Sequence, residues 1–159
     1  MWWICLLSAH NCKTLFPSLI PELPTAVLTD ASLSGGGCLW ATDWMYANWA
    51  LDYLPLYSLH INYKEKFTTV LAAHRWAPVW SGHRVIIKTD SQVAAAILNK
   101  GSTCCPVIMD WILSLFWLKE YCNFSLLVKH TPGTTNTVPG SNYFEYFMSP
   151  LSLGFLRSK

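Results

Sequence analysis

From Thr25 to Asp30 the chain is apolar almost throughout, and it is so again from Val85 to Thr89 and from Phe124 to Lys129. Short apolar runs rich in β-branched residues fit strands buried on both faces. Cys38–Ala41 and Met45–Trp49 are two further short β-prone stretches around Thr42 and Asp43, and Ser34–Gly37 reads as the turn before them. The first third is therefore expected to be an antiparallel meander. After a loop carrying Pro55, the spacing changes: Phe67, Val70, Leu71 and then His74 or Arg75 recur with the period of a helix until Pro78 and Gly82. Asn62 and Glu65 stand three residues apart at its start, which predicts a capping box with Asn62 as N-cap and Glu65 at N3.

Ser91–Lys100 is alanine-rich and stopped by Gly101, and Pro106 sits where a helix takes its first residue before the apolar stripe from Val107 to Lys119. The predicted order is β-β-β-α-β-α-α-β. A strand–helix–strand unit joins the meander to the Val85 strand, which favours a parallel crossover. Residues 1–24 end in Pro17, Pro21 and Pro24 and read as a lead-in. Residues 25–138 read as one domain, and residues 139–159 as a tail with no confident helix.

The composition narrows the class. A chain of 159 residues with 52% hydrophobic content can bury one proper core. Only 13% of residues are charged against 14% aromatic, so an apolar face toward a neighbouring domain is expected. The six cysteines (Cys5, Cys12, Cys38, Cys104, Cys105, Cys122) follow no zinc spacing, and adjacent Cys104 and Cys105 suit a disulfide framework poorly. Reduced thiols and an intracellular setting, cytoplasm or nucleus, are expected. The apolar start Met1–Ala9 lacks a basic leader region and is far short of a membrane span, so neither secretion nor a membrane partner is expected. Between His60 and His130 eight cationic residues, Lys64 and Lys66 among them, face four acids. Such a field suits a phosphate backbone, though an ordinary solvated surface reads the same way.

Three acids carry the chemistry. Asp30 closes the first apolar run, Asp90 closes the second, and Glu65 opens the first long helix. Ligand sites in such sheets gather at strand ends where the topology switches, and the switch from meander to crossover falls between the two aspartate strands. A helix crossing the sheet there can bring Glu65 to the same place. Three close carboxylates repel unless a cation neutralises them, and hard oxygen ligands select Mg²⁺ or Mn²⁺. Each acid also has an ordinary reading: Glu65 as a capping partner, Asp90 as the start of the next helix. Asp30, at the end of an apolar strand, is costly to bury alone. Ser32 with His60 or His74 has no nucleophile-elbow context, which argues against a serine hydrolase.

As an ordered set, Leu28–Ser32 (LTDAS), His60–Glu65 (HINYKE), Lys88–Gly101 (KTDSQVAAAILNKG) and His130–Asn136 (HTPGTTN) resemble the ribonuclease H domain of retrotransposon reverse transcriptases. The match is to the DIRS-type elements that carry a tyrosine recombinase, over roughly residues 25 to 140. Trp2 and Trp3 are similar to the segment that joins the polymerase part. The resemblance implies an α/β fold, ribonuclease H-like, with a five-stranded mixed sheet flanked by helices. It implies Mg²⁺- or Mn²⁺-dependent cleavage of the RNA strand of RNA–DNA hybrids, and a polymerase domain of the same polyprotein as original partner. Asp30, Glu65 and Asp90 match the family's first three metal-binding acids, and His130 is a candidate proton shuttle. The family's fourth acid falls where this chain has Gly140. Glu145 lies five positions late to replace it.

The implied function is thus a retrotransposon-derived ribonuclease H-like domain impaired in cleavage, with its standing as an enzyme open. The alternatives are a non-catalytic module that binds nucleic acid or protein, and a decayed element remnant.

Overall fold

A computed structural model of the chain describes residues 20–132. Gly140, Glu145, Cys5, Cys12, the Trp2–Trp3 pair, nearly all of the lead-in and the whole tail lie outside the described residues. Five strands form one sheet: β1 (Val27–Ala31), β2 (Gly35–Trp40), β3 (Asp43–Asn48), β4 (Arg84–Thr89) and β5 (Ser125–His130). Their spatial order is β3-β2-β1-β4-β5. The first three pair antiparallel, and β4 joins β1 and β5 in parallel. The mixed five-stranded sheet expected from the resemblance is therefore present.

Around it lie a one-turn helix α1 (Leu54–Tyr57), a long helix α2 (Ile61–Trp76) continued by a 3₁₀ turn (Ala77–Trp80), α3 (Gln92–Lys100) and α4 (Pro106–Cys122). Pro55 sits in the first turn of α1, a position that needs no N–H. By its sequence that stretch reads only as loop. Ser91 caps α3 through its hydroxyl, and Gly101 closes that helix in the left-handed conformation at φ 69°. α4 starts at Pro106 as read from the sequence.

Two local readings are corrected. The glycines of Ser34–Gly37 are not a turn: Gly35, Gly36 and Gly37 lie inside β2, and the reversal is made by Ser32, Leu33 and Ser34. A side chain at Gly36 would collide with the Thr68 hydroxyl and the Trp49 ring, and one at Gly35 with Tyr46. Gly36 lets α2 lie close on the sheet, and Gly35 leaves room for the Tyr46 ring of β3. The capping box is also absent. His60 is the N-cap of α2, its Nδ1 accepting the Asn62 N–H at 3.2 Å, and Glu65 is the fifth helical residue. Glu65 is thus not spent on the helix end.

The main core joins Val27, Val85, Ile87 and Val128 of the sheet to Ala72, Ala73 and Trp76 of α2, Ala95 and Leu98 of α3, and Ile108, Ile112 and Leu115 of α4. A smaller core of Ala47, Trp49, Leu56 and Leu71 underlies the β1–β2 turn. The last lead-in residues attach to the sheet: Leu23 donates its N–H to the Arg84 carbonyl at 2.9 Å, and Arg84 donates to Pro21 at 2.8 Å. Among the described residues no helix is long and apolar enough to cross a membrane.

Candidate active site

The strand register sets the site. Thr29 of β1 pairs with Thr89 of β4, and Thr89 pairs with His130 of β5. Asp30 and Asp90 each follow the paired threonine, so both acids leave adjacent parallel strands at the same level, roughly 4.8 Å of strand spacing apart. The threonines hold that end in place. Thr29 donates its hydroxyl to the Lys88 carbonyl at 3.2 Å, and the Ser91 N–H donates to the Thr89 hydroxyl at 3.3 Å. Ser91, not Asp90, is the cap of α3, so Asp90 has no capping duty.

Glu65 lies on α2, which packs across β1 and β2, close enough for its charge to act on Asp30. Its Oε2 is buried and has no hydrogen-bond partner. Asp30 is exposed at the end of its strand, so the premise of a costly buried acid does not hold in full. Its carboxyl is nevertheless raised above the ordinary value. Partial loss of water is the largest cause, and the charges of Asp90 and Glu65 add to it, against a lowering hydrogen bond from the Ala31 N–H. Asp30 therefore senses both other acids. His130 stands exposed at the end of β5, with the next residue, Thr131, donating its N–H to the Thr89 carbonyl at 2.8 Å.

Among the described residues, no three His, Cys, Asp or Glu side chains converge as a ready-made metal cage. The donor set is still of the right kind: hard carboxylate oxygens, one of them buried without a partner. Mutual repulsion within such a set is what a divalent cation relieves. The three residues fit a hard cation by chemistry, while their side chains stand apart instead of surrounding one point.

The basic field read from the sequence is weaker than its count. Lys64 is 1% exposed and Lys66 2% exposed. Lys64 donates to the carbonyls of Leu33 and Tyr57, and Lys66 to that of Asn62. Burial lowers the Lys66 ammonium from its ordinary value, with the charges of Glu65 and Cys105 opposing that shift. Neither ammonium faces solvent, whereas Lys100 and Lys129 do. Counting charge along the chain could not show this, because two lysines flanking a helical acid read as surface. The role of Lys64 in the β1–β2 turn was missed for the same reason.

No protein-family model matches the chain, and no curated protein matches it. Among solved structures it is similar to RNase H1 from the halophilic archaeon Halobacterium salinarum NRC-1, with a TM-score of 0.50 and 15% identity over 70% of this chain and 88% of that one. It is also similar to LC11-RNase H1, solved in complex with an RNA/DNA hybrid, with a TM-score of 0.53 and 14% identity over 71% of this chain and 88% of that one. At such identity the likeness is one of architecture. The five-stranded mixed sheet with its helices is the ribonuclease H fold.

Proposed function

We propose that this chain is a retrotransposon-derived ribonuclease H-like domain, of the DIRS type, that acts on the RNA strand of RNA–DNA hybrids and is impaired in cleavage. One observation carries the reading. Two aspartates leave register-matched ends of adjacent parallel strands, and a glutamate from the crossing helix keeps a buried, unpartnered oxygen within electrostatic range of Asp30. The fold agrees with it, and a solved relative of that fold was crystallised with an RNA/DNA hybrid.

In this reading Asp30, Glu65 and Asp90 hold Mg²⁺ or Mn²⁺. When bound, such an ion supplies an activated water and charge stabilisation for the leaving oxygen of a phosphodiester. Asp30 must lose its proton to serve as a ligand, and its raised carboxyl makes that step pH-dependent. Glu65 contributes an oxygen already stripped of water and of protein partners. His130, exposed one strand beyond Asp90, passes a proton to or from solvent. Gly140 at the fourth acid position removes one charge-stabilising group, and losing a single charge-stabilising contact, such as an oxyanion-hole donor, costs ~10²–10³ in rate.

The test is release of short RNA from a labelled hybrid with Mg²⁺ or Mn²⁺. Slow cleavage by the chain and faster cleavage by Gly140→Asp are expected. Folded protein with no cleavage in either form refutes the latent nuclease. A second reading, a module that binds hybrid without cutting it, is favoured by the acids not converging as a cage. Hybrid affinity unchanged by Asp30→Asn and independent of metal identifies that case.

A further inference from the structure

Lys88 of β4 and Lys129 of β5 are register partners on adjacent parallel strands, whose backbones run about 4.8 Å apart. Side chains alternate between the two faces along each strand. Ile87 and Val128 belong to the main core that the helices cover, and Thr89 is 1% exposed. Lys88 and Lys129 therefore share the sheet face turned away from that core. Lys129 is exposed and Lys88 is half-buried. On its other side Lys88 pairs with Leu28 of β1, which carries no charge to answer it.

Like charges set side by side on neighbouring strands repel and weaken a sheet. Elsewhere in the described chain cations are answered: Lys64 and Lys66 by backbone carbonyls, and Arg75 by Asp43 at 3.4 Å. Among the described residues, the ammoniums of Lys88 and Lys129 have neither an ion pair nor a hydrogen bond. The pair also has a particular place. Lys88 stands two residues before Asp90, and Lys129 directly precedes His130. An anion seated on the pair relieves its repulsion. A row of phosphates suits it better than one small anion, because a nucleic-acid strand carries a charge every ~3.4 Å along its axis. Two lysines on neighbouring strands are spaced on that same scale.

We propose that Lys88 and Lys129 form a phosphate-backbone contact, holding one strand of an RNA–DNA hybrid beside the strand ends that carry Asp90 and His130. This rests on the hybrid reading above and deepens it by naming residues that hold the substrate. It does not depend on how the acids meet a metal ion. Contacts of this kind set position and affinity and carry no sequence information. They also release counterions, which makes binding fall with salt.

The experiment measures binding of the full chain to two short labelled hybrids of unrelated sequence, in EDTA and separately with Mg²⁺, between about 50 and 200 mM salt. Lys88→Gln and Lys129→Gln are each expected to weaken both hybrids equally. Each should reduce the slope of log affinity against log salt by about one, and the double variant by about two. Arg75→Gln, which removes one positive charge at the end of α2 remote from Glu65, should keep the parent slope. Without hybrid, each lysine variant should be at least as stable as the parent, since the repulsion is gone. A double variant that keeps the parent slope overturns the assignment and leaves hybrid binding in place. An equal loss of slope in Arg75→Gln does the same, because it marks a diffuse effect of net charge. A lysine variant less stable than the parent also overturns it, because that ammonium is then engaged within the fold. A parent chain without affinity for either hybrid, with or without Mg²⁺, overturns the hybrid reading and the assignment with it.

Discussion

Thr29 and Thr89 lie opposite each other on the parallel strands β1 and β4, and each is followed directly by an aspartate. The pairing is held from the core side, since Val27 and Ile87, also partners, are both fully buried in the main core. The level of Asp30 relative to Asp90 is thus set by hydrophobic burial several ångströms away, before any ligand is considered.

Asp30→Asn should stabilise the metal-free protein near neutral pH and leave it unchanged in acid. The Asp30 carboxyl is raised in the folded state from its ordinary 3.8. The fold therefore prefers the protonated form, and the unfavourable contribution is absent below 3.8, grows as pH rises through the raised value, and is constant above it. Thermal melts without metal at pH 3 and pH 7 give the sign. A variant less stable than the parent at pH 7 contradicts the repulsion among the three acids.

Glu65→Gln removes charge from an oxygen that is buried and unpartnered. Without metal, the variant is expected to be as stable as the parent or more so, because it removes the charge that opposes the Asp30 carboxylate. With Mn²⁺, the stabilisation that the parent gains by linkage should shrink, and a tenfold weaker affinity removes about 1.4 kcal/mol of it at saturating metal. Melts with and without Mn²⁺ measure both effects. Equal Mn²⁺ stabilisation of parent and variant excludes Glu65 as a ligand.

Gly36→Ala puts a methyl group where the Thr68 hydroxyl and the Trp49 ring already stand. Overfilling a packed contact of this kind costs about 1–3 kcal/mol. Because the collision lies between β2 and α2, it should also lift the helix that carries Glu65. Urea unfolding gives the stability, and Mn²⁺ titration gives the second effect. A variant of parent stability shows that α2 has room to move away from the sheet at no cost.

The sheet and its helices were legible because their signals are local: apolar runs for β1, β4 and β5, helical spacing for α2, and Ser91, Gly101 and Pro106 as helix punctuation. The two strand acids were legible because each ends such a run. What failed to show were features decided by tertiary approach. A triple glycine reads as a turn until a helix is known to lie against it, and Gly36 is in a strand for the sake of Thr68 and Trp49. Asn62 and Glu65 have capping-box spacing, yet His60, one residue before the helix, takes the cap. Lys64 reads as surface charge because its partners, Leu33 and Tyr57, offer only backbone carbonyls, which every residue has.

Asn99 closes the exposed side of the sheet. Its amide donates to the Val128 carbonyl at 2.6 Å and its oxygen accepts the Val128 N–H at 2.9 Å. Among the described residues β5 is an edge strand, so no described strand bonds these two groups of Val128, and the side chain of α3 stands in for one. Asn99→Ala is expected to cost about 1–3 kcal/mol, from two bonds worth about 0.5–1.5 each. Asn99→Asp keeps one acceptor for the Val128 N–H but sets a charge against its carbonyl, so it should be no better than Ala at neutral pH. Hydrogen exchange at the Val128 amide should quicken in Asn99→Ala and much less in Asn99→Asp, which keeps its acceptor, while the amide of Ile86, in the sheet interior, keeps its protection apart from the global loss. His130 lies two residues further along β5, and its distance from Asp90 depends on the same edge staying closed. Asn99→Ala should therefore lower any hybrid cleavage that requires His130, and should leave unchanged the activity remaining in His130→Ala. An Asn99→Ala protein with parent stability and parent exchange at Val128 would mean that water replaces the side chain at no cost, and that β5 holds its place through the core residue Val128 alone.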